Sequence, residues 1–502
     1  MDPAPSIRVN IVANFIGKFW TSLVSLIFIP IYIRFMGIEA YGLIGVYISL
    51  LALFAILDMG LSSTLSRQLA RLSTEPNSGQ ESVDIVRTLE IVYWAIGLAI
   101  GAIMAILAPL IARRWLTVSG IAPDTATRAI MIMGVVAAVE WPSAIYSGAL
   151  LGLQRQVRLN VLKASAATCQ SGGAVLVLWL VSPTITAYFA WQAVATLAQT
   201  AAFALSLRSV LAEKRAAPPR FRKEILVRNW RFAAGMTGIS AITTIVTQLD
   251  KVILSRLLRL EAFGYYVLAF NIANALASLV QPIFSALFPR LSQLVAYGNE
   301  TELARLYHAG CRLLAVAVLP ICVTAAFFPG EILDVWMNNP DTTRNTFRIL
   351  GLLMIGTTIN AILTLPYALQ LSFGWTKLSF YKNVVALPLI VPSLLLLIHR
   401  FGAEGAAIVW IAYNGALLLS EIPLMHRRIL RREMISWYIY DVLVPLSVVS
   451  FVVVLSKACI PSNIGRIGSG VWIGATIFIG MAILGLMNSR MFLSLRAVHH
   501  EL

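Results

Sequence analysis

The sequence predicts an all-α polytopic membrane protein of about 14 transmembrane helices, built as two pseudo-symmetric six-helix lobes plus two C-terminal helices. Three observations predict it. Hydrophobic residues make up 59% of the 502-residue chain and charged residues only 12%, about half the ~25% usual in soluble domains. Apolar runs recur almost from end to end, each near the ~20 residues that cross a bilayer as a helix. The segment Arg34-Phe-Met-Gly-Ile-Glu39-Ala-Tyr41-Gly42 returns as Arg256-Leu-Leu-Arg-Leu-Glu261-Ala-Phe263-Gly264, at an offset of 222 residues.

Runs bounded by charge, proline or glycine place spans near residues 10–33, 41–66, 89–111, 128–152, 159–181 and 186–207 in the first lobe, 1–207. A basic linker, 208–230, leads to the second lobe, 231–425, with spans near 231–256, 263–288, 308–328, 346–370, 378–398 and 403–425. The part 426–502 adds spans near 437–456 and 468–488, which have no counterpart in the first half. The first run has span length and no Ala-x-Ala cleavage chemistry after it, so it is expected to remain as helix one. Asp58 and Arg67 lie nine residues apart, and Gln281 and Arg290 repeat that spacing at an offset of 223. Six spans per copy make the repeat parallel, an arrangement that puts substrate between the halves near the midplane.

The net charge of +16 is a topological signal. With the N-terminus in the cytoplasm, more than twice as many Lys and Arg fall on the cytoplasmic side as outside, and the stretch from Arg208 to Arg231 supplies eight of them. Both termini are therefore expected to be cytoplasmic. Positives scattered over loops between apolar helices argue against a nucleic-acid partner; the basic linker reads as a solvated hinge beside anionic lipid.

Enzyme chemistry finds little footing. There is no Gly-rich phosphate loop ending in Lys-Ser/Thr and no His-Glu-x-x-His, and the longest external segment, Pro329 to Arg344, is short. Cys169, Cys311, Cys322 and Cys459 lack metal or redox spacing and read as packing residues; His499 and His500 read as a tail. No cofactor or metal is expected, and an ion gradient, a substrate gradient or a partner supplies the energy.

A charge at the bilayer centre costs roughly 2.5–3.5 kcal/mol on insertion scales, so it must face protein or an aqueous cavity. Lys18, Asp58, Glu140, Asp250 and Lys251 fall inside the spans, with Asn14, Gln248, Asn271, Asn274 and Asn360 as uncharged polar groups. Lys18 and Lys251, in equivalent helices of the two lobes, offer cationic contacts to an anionic substrate. Asp58, Glu140 and Asp250 are candidates for H⁺ or Na⁺ coupling. The competing expectation is that opposite charges neutralise each other, Lys18 with Asp58 or Glu140. Pro30, Pro142, Pro282, Pro366, Pro388 and Pro423 mark places where helices could bend, and Gly97/Gly101, Gly148/Gly152 and Gly470/Gly474 places of close packing.

The run Asn10-Ile-Val-Ala-Asn14, Pro30 with the Arg34 to Gly42 segment, Leu57-Asp58-Met-Gly60-Leu-Ser and Leu65-Ser-Arg67 resembles the opening of bacterial oligosaccharide flippases of the Wzx or polysaccharide-transport type. Gln248-Leu-Asp250-Lys251, Glu261-Ala-Phe263-Gly264-Tyr and Phe288-Pro289-Arg290-Leu-Ser resemble the second lobe of that family. The resemblance implies the V-shaped fold of the MOP (multidrug/oligosaccharidyl-lipid/polysaccharide) exporter superfamily, working by alternating access in a bacterial cytoplasmic membrane. It implies an undecaprenyl-pyrophosphate-linked repeat unit of O-antigen, capsule or exopolysaccharide as cargo, with polysaccharide polymerase machinery as a candidate partner. On that reading Lys18 and Lys251, with Arg34 or Arg67, meet the diphosphate, and Asn14, Asn271 and Asn274 add polar contacts. The alternatives are a cation-coupled drug antiporter of the same fold and an integral-membrane glycan polymerase.

Overall fold

The structure, a computed structural model, describes residues 7–58, 60–75, 78–212, 217–277, 279–461 and 464–489. Glu213, Lys214 and Arg215 of the basic linker, and the tail with His499 and His500, lie outside the described residues. The chain divides into two compact units, Met1–Gly264 and Tyr265–Leu502.

The first unit holds α1 (Ile7–Ile27), α2 (Ile29–Phe54), α3 (Leu61–Leu72), α4 (Gly79–Leu110), α5 (Pro123–Glu140), α6 (Ser143–Gly152), α7 (Gln156–Leu180), α8 (Ile185–Ala212) and α9 (Lys223–Leu257), and reaches into α10 (Leu260–Ala277). The second holds the rest of α10, then α11 (Val280–Tyr297), α12 (Glu300–Phe327), α13 (Pro329–Met337), α14 (Pro340–Ile362), α15 (Thr364–Ser372), α16 (Thr376–Phe401), α17 (Ala403–His426), the short α18 (Met434–Ser436), α19 (Val444–Cys459) and α20 (Arg466–Met487). A stretch of π-helix, Trp437–Leu443, joins α18 to α19. Among the described residues twelve helical stretches are long and apolar enough to cross a membrane. Against the fourteen expected, α1 and α9, of 21 and 35 residues, stand outside that set.

Four spans expected to be continuous are interrupted, and the interruptions have local causes. The span at 41–66 breaks after the 3₁₀ turn Ala55–Asp58, where Gly60 takes a left-handed φ of 69°, a conformation that glycine reaches without a Cβ clash. The span at 128–152 breaks between α5 and α6 at Trp141-Pro142. That at 263–288 breaks between α10 and α11, ahead of Pro282, and that at 346–370 between α14 and α15, ahead of Pro366. Proline lacks the N–H that would bond to residue i−4 and its ring clashes with that carbonyl, and Pro366 stands four residues after Ile362, the last residue of α14. Pro388 and Pro423 lie inside unbroken helices. The loop expected near Arg34–Gly42 is a turn at Gly37, φ 82°, within α2.

Small residues set the closest helix approaches, as packing without a hydrophobic driving force requires. A Cβ on Gly97 would stand 2.5 Å from the Ala138 carbonyl oxygen, and one on Gly148 2.8 Å from that of Ser62; Gly152 sits on the Ser66 carbonyl. Gly470 has Val335 at 3.4 Å, whereas no atom lies within 4 Å of a Cβ on Gly474, so the third glycine pair does not act as one packing notch.

The repeated segment makes a reciprocal clasp. A Cβ on Gly42 would stand 2.6 Å from the Leu260 carbonyl oxygen, and one on Gly264 would run into the carbonyl of Ile38. Ile38 and Leu260, like Gly42 and Gly264, are 222 residues apart, so each copy presents the same glycine to the same carbonyl of the other. Tyr41 and Phe263 are buried beside it, and Leu260 N–H donates to the Thr117 carbonyl at 2.9 Å. Substituting Gly42→Leu should cost about 1–3 kcal/mol by overpacking. Gly172→Ala, inside α7 with open space around the new Cβ, should stabilise by up to ~1 kcal/mol; thermal melts of the purified protein in detergent check both.

Candidate functional site

Two of the interruptions end in a carboxylate. Asp58 is the last residue of its 3₁₀ turn and Glu140 the last residue of α5. The C-terminal end of a half-helix carries partial negative charge, and in transport folds such ends at broken helices coordinate Na⁺ or H⁺. Ser62 Oγ donates to Asp58 Oδ2 at 2.9 Å and the Tyr93 hydroxyl to Oδ1. The Tyr47 hydroxyl donates to Glu140 Oε2 at 2.9 Å. Tyr93 stacks on Trp141 at 6.2 Å, and Tyr47 meets Phe189 edge-on at 5.4 Å. Among the described residues neither carboxylate has a cationic partner. Both are half-buried acids held by neutral hydroxyls and framed by aromatic rings, an arrangement able to take up a proton or a small cation.

The two lysines stand in different surroundings. Lys18 is exposed on α1, and no carboxylate among the described residues pairs with it; the expected alternative of a bridge to Asp58 or Glu140 is not found. Asn14, one turn earlier, is also exposed and accepts from Asn160 Nδ2. The same turns of α1 expose Phe15, Phe19 and Trp20, so the Lys18 ammonium stands among exposed aromatic side chains. Lys251 is only 4% exposed, and its Nζ donates to the Thr247 carbonyl at 3.0 Å and to Asp250 Oδ1 at 3.2 Å. The structure thus brings Asp250 and Lys251 together as a neighbouring ion pair. Arg34 is exposed on α2 and Arg67 on α3; Asn271 is half-buried and Asn274 exposed on α10.

Several buried charges escaped the sequence reading. In the first unit Glu90 accepts from Tyr146 at 2.7 Å, Arg87 at 2.8 Å and Arg208 at 3.2 Å, and Asp84 pairs with Arg222 at 2.8 Å. In the second, Asp441 on the π-helical stretch accepts from Arg312 Nε at 2.8 Å and bonds to His308, whose other ring nitrogen lies 3.1 Å from Glu433. Glu421 on α17, 5% exposed, accepts from Lys382 Nζ at 3.0 Å on both oxygens and from Gln370 Nε2 at 2.9 Å. Lys457 pairs with Glu331. The signal that finds Lys18 finds these too: each of Lys382, Glu421, Arg312 and Asp441 is a charge inside an apolar run.

Removing one member of a buried pair leaves the other charge stranded, at about 3–5 kcal/mol. Lys382→Met should lose stability on that scale. The doubly substituted Lys382→Met, Glu421→Gln should recover most of it, as urea or thermal unfolding of the purified protein will report.

With this geometry in place, comparison with known proteins is informative. The profile of the polysaccharide biosynthesis protein family matches residues 7–295, and that of the MatE family residues 236–396. A candidate O-antigen transporter of Shigella flexneri is 22% identical over 406 residues, covering 81% of this chain and 94% of the relative. The structure of the lipid II flippase MurJ in an inward closed conformation superposes with a TM-score of 0.72 at 13% identity, over 96% of this chain and 99% of MurJ. An inward-facing multidrug resistance MATE family transporter of the MOP superfamily gives 0.68 at 14% identity, over 81% and 94%. The two solved structures show the fold, and the family match covers more than half of the chain. The protein therefore belongs to the polysaccharide biosynthesis protein family, as a multi-pass membrane protein with the fold seen in a MATE family transporter of the MOP superfamily.

Proposed function

We propose that this transporter is a flippase for lipid-linked oligosaccharides, moving undecaprenyl-pyrophosphate-linked repeat units from the cytoplasmic to the periplasmic leaflet of a bacterial cytoplasmic membrane by alternating access. The observation that carries the reading is the family match over residues 7–295. Three features of the geometry support it. Lys18 presents an exposed ammonium on α1 with no carboxylate partner among the described residues, suited to a diphosphate. Asn14 and the α10 residues Asn271 and Asn274 supply polar contacts, and Arg34 and Arg67 further positive charge. An apolar groove of about 740 Å³ between α19 and α20, lined by Phe451, Leu455, Trp472 and Ile479 among others, suits a polyprenyl chain. Here α1 and α9 complete the fourteen spans, with both termini in the cytoplasm, as two six-helix lobes and an appended pair.

Asp58 and Glu140 are the coupling groups of the cycle on this reading, taking H⁺ or Na⁺ at the broken ends of two spans, while Asp250 holds Lys251. The same acids support a second reading. Carboxylates beside Tyr93, Trp141 and Tyr47 also suit a cationic drug exchanged for an ion, in line with the MatE match over 236–396.

Mass spectrometry of polyprenyl-linked glycans in cells lacking the protein separates the two: complete lipid-linked repeat units accumulate and surface polymer is lost if it is a flippase, and lipid-linked glycans are unchanged if it is a drug antiporter. In complemented cells Lys18→Gln should lower export at least about tenfold, the effect of ~1.4 kcal/mol, while Lys18→Arg retains most of it; equal loss with both would point to packing in place of charge. Glu140→Gln should abolish the response of export to an imposed ion gradient without unfolding the protein, measured as gradient-driven uptake of labelled lipid-linked glycan in proteoliposomes.

A further inference from the structure

The two units treat equivalent half-helices differently. In the first unit the segments after the breaks, α3 and α6, close directly on each other: Gly148 and Gly152 rest on the backbone of Ser62 and Ser66. In the second unit the corresponding segments, α11 and α15, meet through aromatic rings. Phe288 stacks on Phe284 at 5.5 Å and Phe284 on Tyr367 at 6.3 Å, with interplanar angles of 9° and 23°. The three rings are half-buried, and the same helix exposes Gln281 and Ser285 beside them, side chains able to hydrogen-bond sugar hydroxyls.

The row ends on a charge. Lys382 Nζ lies 5.3 Å from the centre of the Tyr367 ring, within the range of a cation–π contact. Of its ion pair with Glu421 it is the more accessible member, its side chain 19% exposed against 5%. An ammonium has three donors, so it can turn from the carboxylate to an incoming anion while Gln370 Nε2 keeps Glu421 hydrogen-bonded.

We propose that Phe284, Phe288, Tyr367 and Lys382 form a subsite for an anionic sugar, the rings taking the apolar C–H face of a pyranose and the ammonium its phosphate or carboxylate oxygens. Aromatic faces carry negative charge density and sugar C–H groups positive, so the pairing is sequence-tolerant stacking plus one ion pair. The subsite rests on the flippase reading for its cargo and assigns the glycan end of that cargo to the second unit. The site needs the ring of Tyr367, not its hydroxyl, and the charge of Lys382, not its length.

The test is isothermal titration calorimetry on the full chain in lipid nanodiscs, with glucose 1-phosphate and glucuronate as probes and glucose and inorganic phosphate as comparators. Wild type should bind one or both anionic sugars at least tenfold more tightly than glucose or phosphate; the probe that binds tells a phosphate site from a carboxylate site. Tyr367→Ala and the charge-neutral pair Lys382→Gln, Glu421→Gln should each weaken binding tenfold or more, while Tyr367→Phe and Lys382→Arg retain it. The proposal is overturned if phosphate binds as tightly as glucose 1-phosphate, or if Tyr367→Ala and the neutral pair bind like wild type. Complementation in cells separates this from the flippase reading. If the null strain accumulates lipid-linked glycan and Tyr367→Ala restores export fully, the flippase stands and the subsite falls. If the null strain accumulates none while sugar binding remains sensitive to Tyr367 and Lys382, the subsite stands and the flippase reading falls.

Discussion

Hydrocarbon offers no hydrogen bonds, so every N–H, carbonyl and charge that enters the membrane must find its partner within the protein or beside trapped water. In this chain the constraint decides where a helix can be broken. The interruptions at Gly60 and Pro142 free backbone carbonyls at the ends of half-helices, and it is there that Asp58 and Glu140 stand, supported by Ser62, Tyr93 and Tyr47. Away from those points several charged groups are closed off in pairs or clusters, as with Glu90 among Arg87, Arg208 and Tyr146, or Asp441 between His308 and Arg312. Lys18 on α1 is exposed and has no carboxylate partner among the described residues, which is why it draws a functional assignment.

Much of this was legible in the sequence. Apolar run length finds twelve stretches that are long and apolar enough to cross a membrane among the described residues, and a nine-residue segment repeated at an offset of 222 marks the two places that become the Gly42 and Gly264 contacts. Pro142 and Pro366 were readable as bends because a missing donor acts locally. Gly60 was not, since one glycine in an apolar run looks the same whether it packs, as Gly97 does, or turns left-handed. The ion pairs were hidden for a different reason. Lys382 and Glu421 are 39 residues apart and His308 and Asp441 133 apart, and no periodicity connects residues on separate helices. A charge within a span can be flagged, but the partner that quiets it is chosen by packing, which is how Lys18 came to be unpaired and Lys251 paired.

The two units share an architecture and diverge in chemistry. The first places acids at its broken helices and closes the following segments on glycine and serine. The second has no acid at the Leu363 break, and its following segments carry rings and an ion pair. Function resides in side chains placed on a fold and not in the fold itself, and a transporter has two tasks to distribute: to take up an ion and to hold a cargo. The divergence between the copies leaves carboxylates at the broken helices of the first unit and a row of rings with a buried ion pair in the second.

The clasp of Gly42 on Leu260 and Gly264 on Ile38 has the form of an isologous contact, in which residue i of one copy touches residue j of the other and j touches i. Such a contact is self-complementary, because a single copy already carries both the notch and the carbonyl that fills it. A half-length ancestor bearing one copy would have possessed everything needed to pair with itself. In the present chain the two copies differ at many positions, while the glycine and the carbonyl it meets keep the same reciprocal geometry in both.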